Sequence, residues 1–364
     1  MRDFDKVAES SPSTLRLPPP ERLLIVRLGA LGDVLRTMPA LELLPALWPN
    51  AAMYWAVEDA SAPLLEGHPR LSGVLRFPRK EISALLEDPS TAGAAAARSG
   101  RFAGALRRLK ADLCLDFHGT LKSGLIAALS GAPRRVGYAP PGSREGNRIF
   151  QTDLVPMPPE PMHRVERTLA LLRALGAPDA PVTISLPGTA AHRERVDIWL
   201  RDNGLAATRF VVAWPGTSAS QAWKRYPAGD LGRALGMIRQ STQCATVVAG
   251  GPGEESLVDE VRAASGGTAT AAPVFDLLAL SELLRRAALF IGPDTGPMHL
   301  AWVVGTQVLA LFGSTDPRLN APWPQVGGPH RVLYNSLSPR RGEHTDWPDP
   351  GAVAGAARDI LESR

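Results

Sequence analysis

One carboxylate follows a glycine turn in an unusual place. The run LLIV at residues 23–26 leads into Gly29, Gly32 and Asp33, after which apolar residues recur at helical spacing as Val34, Leu35, Met38, Leu41 and Leu44. Strand, glycine turn and helix together set backbone N–H groups and a helix N-terminus beside an anion. A carboxylate repels a phosphate, so Asp33 suits a different task at a strand edge: taking a proton from a hydroxyl. Its alternative role is to cap the helix it opens. GxxGD is shorter than the dinucleotide fingerprint GxGxxG, and only Glu58 and Asp59 approach a ribose-binding position, which argues against nicotinamide dinucleotide.

Three further turns carry groups suited to anions and hydroxyls. In IGPDTGPMH, Asp294 or Thr295 can cap a helix, Pro297 suits its first turn and Gly305 its end. The Thr295 and Gly296 N–H groups would then face a diphosphate, with His299 one helical turn further in. In WPGTSASQAWKRYP, small and hydroxyl residues around Thr217 and Ser218 precede Lys224, a point charge for phosphate. In GGPGEE, Glu254 and Glu255 can hold ribose hydroxyls or favour a helix N-terminus. Each turn also reads as an ordinary loop, but together they suit activation of a sugar nucleotide and transfer of its sugar to a hydroxyl.

The elements that must position these groups alternate as βα units. Strands are expected at 23–26, 53–57, 74–77, 113–116 and 134–138, then at 210–213, 246–249, 289–291 and 308–312. Helices are expected between the first strands, including the Ala- and Arg-rich stretch before Leu113, and at about 164–175, 227–240, 254–264, 281–286 and 351–362. Pro39 could kink or stop the first helix, and the Ala-, Ser- and Gly-rich stretch 80–101 reads as a surface excursion. Residues 176–190, with Pro178, Pro181 and Pro187, read as a linker. Two such series predict an α/β chain of two facing, doubly wound Rossmann-like domains with ligands in the cleft between them. The expected division is a tail over 1–20, an acceptor domain over 21–180 and a nucleotide-sugar domain over 181–345. A last helix over 346–364 would pack back on the first domain.

Composition narrows the function class. The 364 residues are 45% hydrophobic and 21% charged, with a net charge of +4, a globular balance mildly receptive to acidic partners. The two cysteines, Cys114 and Cys244, sit in separate apolar strands and read as core residues. With neither CxxC nor HExxH, a structural zinc is not expected. No basic run interleaved with aromatics points to nucleic acid. No apolar run is long enough to span a bilayer, and the first residues lack a secretory core, so a cytoplasmic chain is expected.

The motifs VRLGALGDVLRTMPAL, DFHGTLKSGLIAAL, PGSREGNRIF, HRVERTLALL, WPGTSASQAWKRYP, GGPGEE and IGPDTGPMHLAWVVGTQVLALFGSTDP occur in one order over residues 22–323. In these the chain resembles the bacterial lipopolysaccharide heptosyltransferases, glycosyltransferase family 9, and in its LKS and SRE segments the heptosyltransferase I branch. The resemblance implies a GT-B fold, ADP-heptose as donor, transfer with inversion and no bound metal or other cofactor. It also implies an acidic, lipid-linked inner-core acceptor such as Kdo-lipid A, met at the cytoplasmic face of the inner membrane. It makes Asp33 the general base. Gly32, Thr217, Ser218, Lys224, Asp294, Thr295, Gly296 and His299 fall on the donor side, with Glu254 or Glu255 on ribose. Arg27, Arg36, Arg144 and His163 fall on the acceptor side. Arg36 departs from the family pattern, which leads one to expect histidine after GDVL. Other sugars or surface glycans, a sugar-nucleotide epimerase of similar architecture, and a nucleotide-binding subunit without activity are the competing readings.

Overall fold

A computed structural model describes residues 14–313, 315–324, 328, 330–335 and 346–363; the first part of the expected tail and of the segment before the last helix lies outside them. Six strands form the first sheet: β1 (Arg22–Val26), β2 (Ala52–Glu58), β3 (Gly73–Phe77), β4 (Leu113–Asp116), β5 (Arg134–Tyr138) and β6 (Asp153–Val155). The second contains β7 (Phe210–Ala213), β8 (Ala245–Val248), β9 (Thr270–Ala271), β10 (Leu289–Pro293), β11 (Val308–Phe312) and β12 (Arg331–Tyr334). The strand orders are β3-β2-β1-β4-β5-β6 and β12-β11-β10-β7-β8-β9. Every pairing is parallel. Taken in chain order, both sheets follow the same 3-2-1-4-5-6 pattern, the doubly wound order of the GT-B type. Such sheets bind ligands where the winding reverses, outside the strand C-termini. Those points lie between β1 and β4 and between β7 and β10.

The connecting helices are α1 (Leu31–Leu47), α2 (Arg79–Glu87), α3 (Ala92–Leu109), α4 (Leu121–Leu129), α5 (Arg164–Ala174) and α6 (Ala190–Asp202). In the second half they are α7 (Ala228–Thr242), α8 (Glu255–Ala264), α9 (Leu277–Arg286), α10 (Gly296–Val303), α11 (Pro317–Asn320) and α12 (Pro350–Glu362). Central strands such as LLIV and VLALF are unbroken apolar runs because both of their faces are covered by helices. Cys114 and Cys244 are free and buried, as small core residues.

Several expectations need correction. Pro39 and Pro45 neither stop nor divide α1; burial of its apolar face outweighs the lost backbone hydrogen bonds. The stretch 80–101 lies at the surface, and helix α3, expected before Leu113, begins within it at Ala92, preceded by a second helix, α2; its alanines favour that conformation. Short edge strands β6, β9 and β12 and helix α6 lacked a readable period. The linker is tied down, since Ser185 N–H donates to Glu42 at 2.8 Å and Ser185 carbonyl lies 3.0 Å from His68 Nε2. The last helix, α12, packs on α7 rather than on the first half, with Val353, Ala357 and Leu361 in the second core. Its alanine face fits closely there, and Tyr226 anchors the approach by donating to Pro348 carbonyl at 2.7 Å.

Candidate active site

Asp33 occupies the third position of α1, just past the C-terminal edge of β1. The helix is capped by Ala30 with no side-chain bond, so Asp33 is not its cap. A carboxylate in a first helical turn is favoured by the helix dipole, and it leaves the side chain facing the cleft. Arg27, at the end of β1, places one guanidinium nitrogen 2.9 Å from Asp33 Oδ1, and Arg36, one turn along α1, donates to the same oxygen. Burial alone would raise the Asp33 pKa. The two arginines overcome it and hold the carboxyl well below the usual carboxylate range, ionised at every physiological pH.

The chain of contacts then crosses to the second half. Arg36 Nη1 donates to Asn320 Oδ1 at 2.8 Å and lies 3.0 Å from His299 Nε2. Indole N–H can only donate, and Trp302 Nε1 lies 3.0 Å from His299 Nδ1. Nδ1 therefore presents a lone pair to Trp302, while Nε2 lies between the donor-only Arg36 guanidinium and Asp294 Oδ1, the latter at 3.5 Å. Burial, then the Arg36 charge, pulls the His299 pKa down to about 4, so the ring is neutral at neutral pH. Asp294 accepts from Lys224 Nζ at 3.0 Å. Burial opposes its ionisation, but His299 and Lys224 hold it well below the carboxylate range. Arg27, Asp33, Arg36, His299, Asp294 and Lys224 thus form one polar chain, buried at its centre and half-buried at Asp33 and Lys224, that runs between the C-terminal ends of β1, β7 and β10.

Two glycines let the halves approach. A Cβ on Gly32 would lie 2.7 Å from His299 Cδ2, and one on Gly296 would lie 2.6 Å from Leu31 Cδ2. The expected phosphate turns are thus also where α1 and α10 pack against each other. Thr295 begins α10 without a side-chain cap, and its buried hydroxyl has no hydrogen-bond partner. Pro297 lies in the first turn, and Gly305, at φ +85°, ends the helix in a Schellman turn through Thr306 N–H to Ala301 carbonyl at 3.0 Å.

The other donor-side residues are less uniform. Thr217 is buried; its hydroxyl lies 3.0 Å from Gln221 carbonyl and accepts from Arg225 Nε at 3.2 Å, while Ser218 is exposed. Glu254 turns inward over Gly216 and accepts from Gly251 N–H at 2.8 Å. Glu255 instead lines a cavity of about 310 Å³ with Gly250, Gly251, Ala271 and Val274.

On the acceptor side, Arg27 is buried and committed to Phe117 carbonyl and Asp33. Arg36 is committed as described. Arg144 is exposed on a loop held by its backbone N–H to Gly119 carbonyl at 2.8 Å, and its charge bears on His118. His163 caps α5, and its Nε2–H donates to Ala321 carbonyl at 2.8 Å across the cleft. Burial lowers its pKa, so it too is neutral.

Four residues belong to this region that the sequence reading passed over. Asp116, at the end of β4, accepts from His118 and Gly119 N–H groups, Ser123, Asn147 and Gln151, fixing the turn whose Phe117 carbonyl holds Arg27. Burial outweighs these bonds and raises its pKa. His118 Nδ1 accepts from Leu28 N–H at 3.3 Å, and burial with the Arg27 charge lowers its pKa to about 4. DFHG at a strand end was a usable signal for both. Arg164 begins α5, and Asn320 ends α11; nothing local marks Asn320. Among the described residues no group of three or more His, Cys, Asp or Glu could hold a metal ion, and no helix is long and apolar enough to cross a membrane.

The chain is 26% identical over 306 residues to lipopolysaccharide heptosyltransferase 1 of Pseudomonas aeruginosa, covering 81% of this chain and 79% of that protein. The solved glycosyl transferase family 9 structure from Veillonella parvula matches with a TM-score of 0.77 at 20% identity, over 94% of this chain and 98% of that one. The structure of E. coli heptosyltransferase WaaC with ADP-2-deoxy-2-fluoro heptose matches with a TM-score of 0.68 at 21% identity, over 94% and 99%. These structural likenesses bear on the fold. The family model for glycosyltransferase family 9 (heptosyltransferase) matches residues 99–335, most of the chain, so the chain belongs to that family and is a glycosyltransferase.

Proposed function

We propose that the chain moves a heptose from ADP-heptose to a hydroxyl of an acidic, lipid-linked lipopolysaccharide inner-core acceptor, with inversion, at the cytoplasmic face of the inner membrane. The observation that carries this reading is the polar chain joining Asp33 to Asp294 and Lys224 across the two halves. In this reading that chain joins the base to the anion site across one cleft. The likeness to a structure solved with an ADP-heptose analogue supports the choice of donor.

In this reading the ADP diphosphate meets Lys224, the free Thr295 hydroxyl and the N–H groups opening α10, while Asp294 orients Lys224. The cavity beside Gly250 and Glu255 suits the adenine, and Glu254 is aimed toward the ribose side. The acceptor oxygen attacks the anomeric carbon opposite ADP; the bond to the diphosphate oxygen breaks, and ADP leaves with the electron pair. Negative charge builds on that diphosphate, where fixed donors stabilise it. The acceptor proton passes to Asp33. Its depressed pKa is compatible with this role, because the attacking oxygen becomes strongly acidic only as its bond to carbon forms. A carboxylate that stays ionised also favours the positive charge developing on the sugar ring. Arg27 and Arg36 then act as positioning residues for Asp33, and closure excludes the water that would hydrolyse the donor.

The test is incubation of the purified protein with ADP-heptose, with and without Kdo-lipid A, following ADP release and product mass. Acceptor-dependent release with one heptose added is expected. Asp33→Asn should lower transfer by ~10²–10⁴-fold while keeping ADP affinity, and Lys224→Ala should weaken both. Conversion of the donor without acceptor would favour an epimerase, and saturable ADP binding without transfer would move the search to other sugars and acceptors.

A further inference from the structure

Arg164 breaks every local rule that governs a cation. It is the first residue of α5, where the helix dipole disfavours positive charge. Its Nε is buried with no hydrogen-bond partner. The carboxylates around it are already engaged. Asp33 holds Arg27 and Arg36, Glu160 pairs with Arg167 at 3.5 Å, and Glu166 pairs with Arg173 at 3.1 Å while accepting from Trp323 Nε1 at 2.8 Å. Arg36, Arg167 and Arg27 all bear on Arg164 electrostatically, opposed by Asp33. The charge excess is held in place, because α5 packs on α1 and is pinned across the cleft by His163 to Ala321. Such an arrangement persists when a ligand supplies the missing negative charge.

We propose that Arg164 binds an oxyanion of the acceptor, a sugar carboxylate or a phosphate, and so sets the acceptor hydroxyl beside Asp33. This rests on the transferase reading above and assigns to Arg164 the anion contact that the buried, committed Arg27 cannot make. A planar guanidinium that is half-buried and electrostatically coupled to Asp33 can hold a carboxylate or phosphate through two parallel N–H donors. The donor diphosphate is served separately, from Lys224 and α10.

The experiment compares wild type, Arg164→Ala and Arg164→Lys. In Arg164→Ala the acceptor KM should rise about 10- to 100-fold, with kcat and the Kd for ADP within about twofold; lysine should restore part of the loss. Melting temperature should stay level or rise, since a half-buried charge without an ion-pair partner is removed; a merely structural arginine would lower it. Two acceptor arms, one with the sugar carboxylate reduced to an alcohol and one dephosphorylated, separate the sources. The modification that erases the difference between wild type and variant identifies the oxyanion. An unchanged KM in active Arg164→Ala would overturn the proposal. Independently of turnover, inorganic phosphate added to ADP-saturated protein should raise the melting temperature of wild type and not of Arg164→Ala. That shift without any heptose transfer would keep the anion site and remove the heptosyltransferase reading; its absence from wild type would overturn the anion site.

Discussion

Arg36→Ala tests how the base is held. Its guanidinium donates to Asp33 on one half and, at 2.8 Å, to Asn320 on the other, so one side chain ties the base to the closed cleft. A charge-assisted hydrogen bond is worth about 1.5–3 kcal/mol, or about 10- to 150-fold if it is needed in full at the transition state. Arg27 remains 2.9 Å from Asp33 and keeps it ionised at neutral pH, so the loss is one of orientation rather than charge. The expected outcome is a kcat lowered by about 10- to 100-fold, with ADP affinity nearly kept. The pH dependence supplies a second readout. Asp33 titrates well below its ordinary value because two cations favour its charged form. Removing one raises that pKa, so the acid limb of kcat/KM must move to higher pH, never lower. Arg36→Lys, which keeps the charge but not the planar fork, should fall between. ADP release measured at limiting and at saturating acceptor, from the lowest pH at which the protein stays folded up to about pH 8, alongside calorimetric ADP binding, checks both. Full kcat with an unmoved acid limb would refute the reasoning.

Two more perturbations probe the scaffold. Gly32→Ala would set a methyl 2.7 Å from the His299 ring, so the halves must part. The expected cost is about 1–3 kcal/mol, seen as a lower melting temperature together with lost turnover. Asp116→Ala strands the donors of His118, Gly119, Ser123, Asn147 and Gln151. It should cost about 3 kcal/mol or more in denaturant unfolding and loosen the loop of Arg144, detectable as faster amide exchange over 117–147.

The sequence by itself determined the two βα series, because strands buried on both faces must be unbroken apolar runs and helices must show their own period. It also marked Asp33, Lys224 and the Asp294 turn, since each lies in the turn or loop that follows such a run, and the fold's winding places strand ends β1, β7 and β10 at the reversal points. Only the tertiary structure decided what these residues touch. That Gly32 makes room for a histidine 267 positions away, that Arg36 reaches Asn320, and that Arg27 is used up on Asp33 depend on how two halves close. No local pattern encodes such a contact, because its two partners lie in segments whose periodicities are independent. Arg164 stands between the two cases. Its place at a helix start was visible in HRVERTLALL, but its lack of a partner is a property of the closed cleft. A charge is free or paired only relative to the carboxylates that folding brings near it.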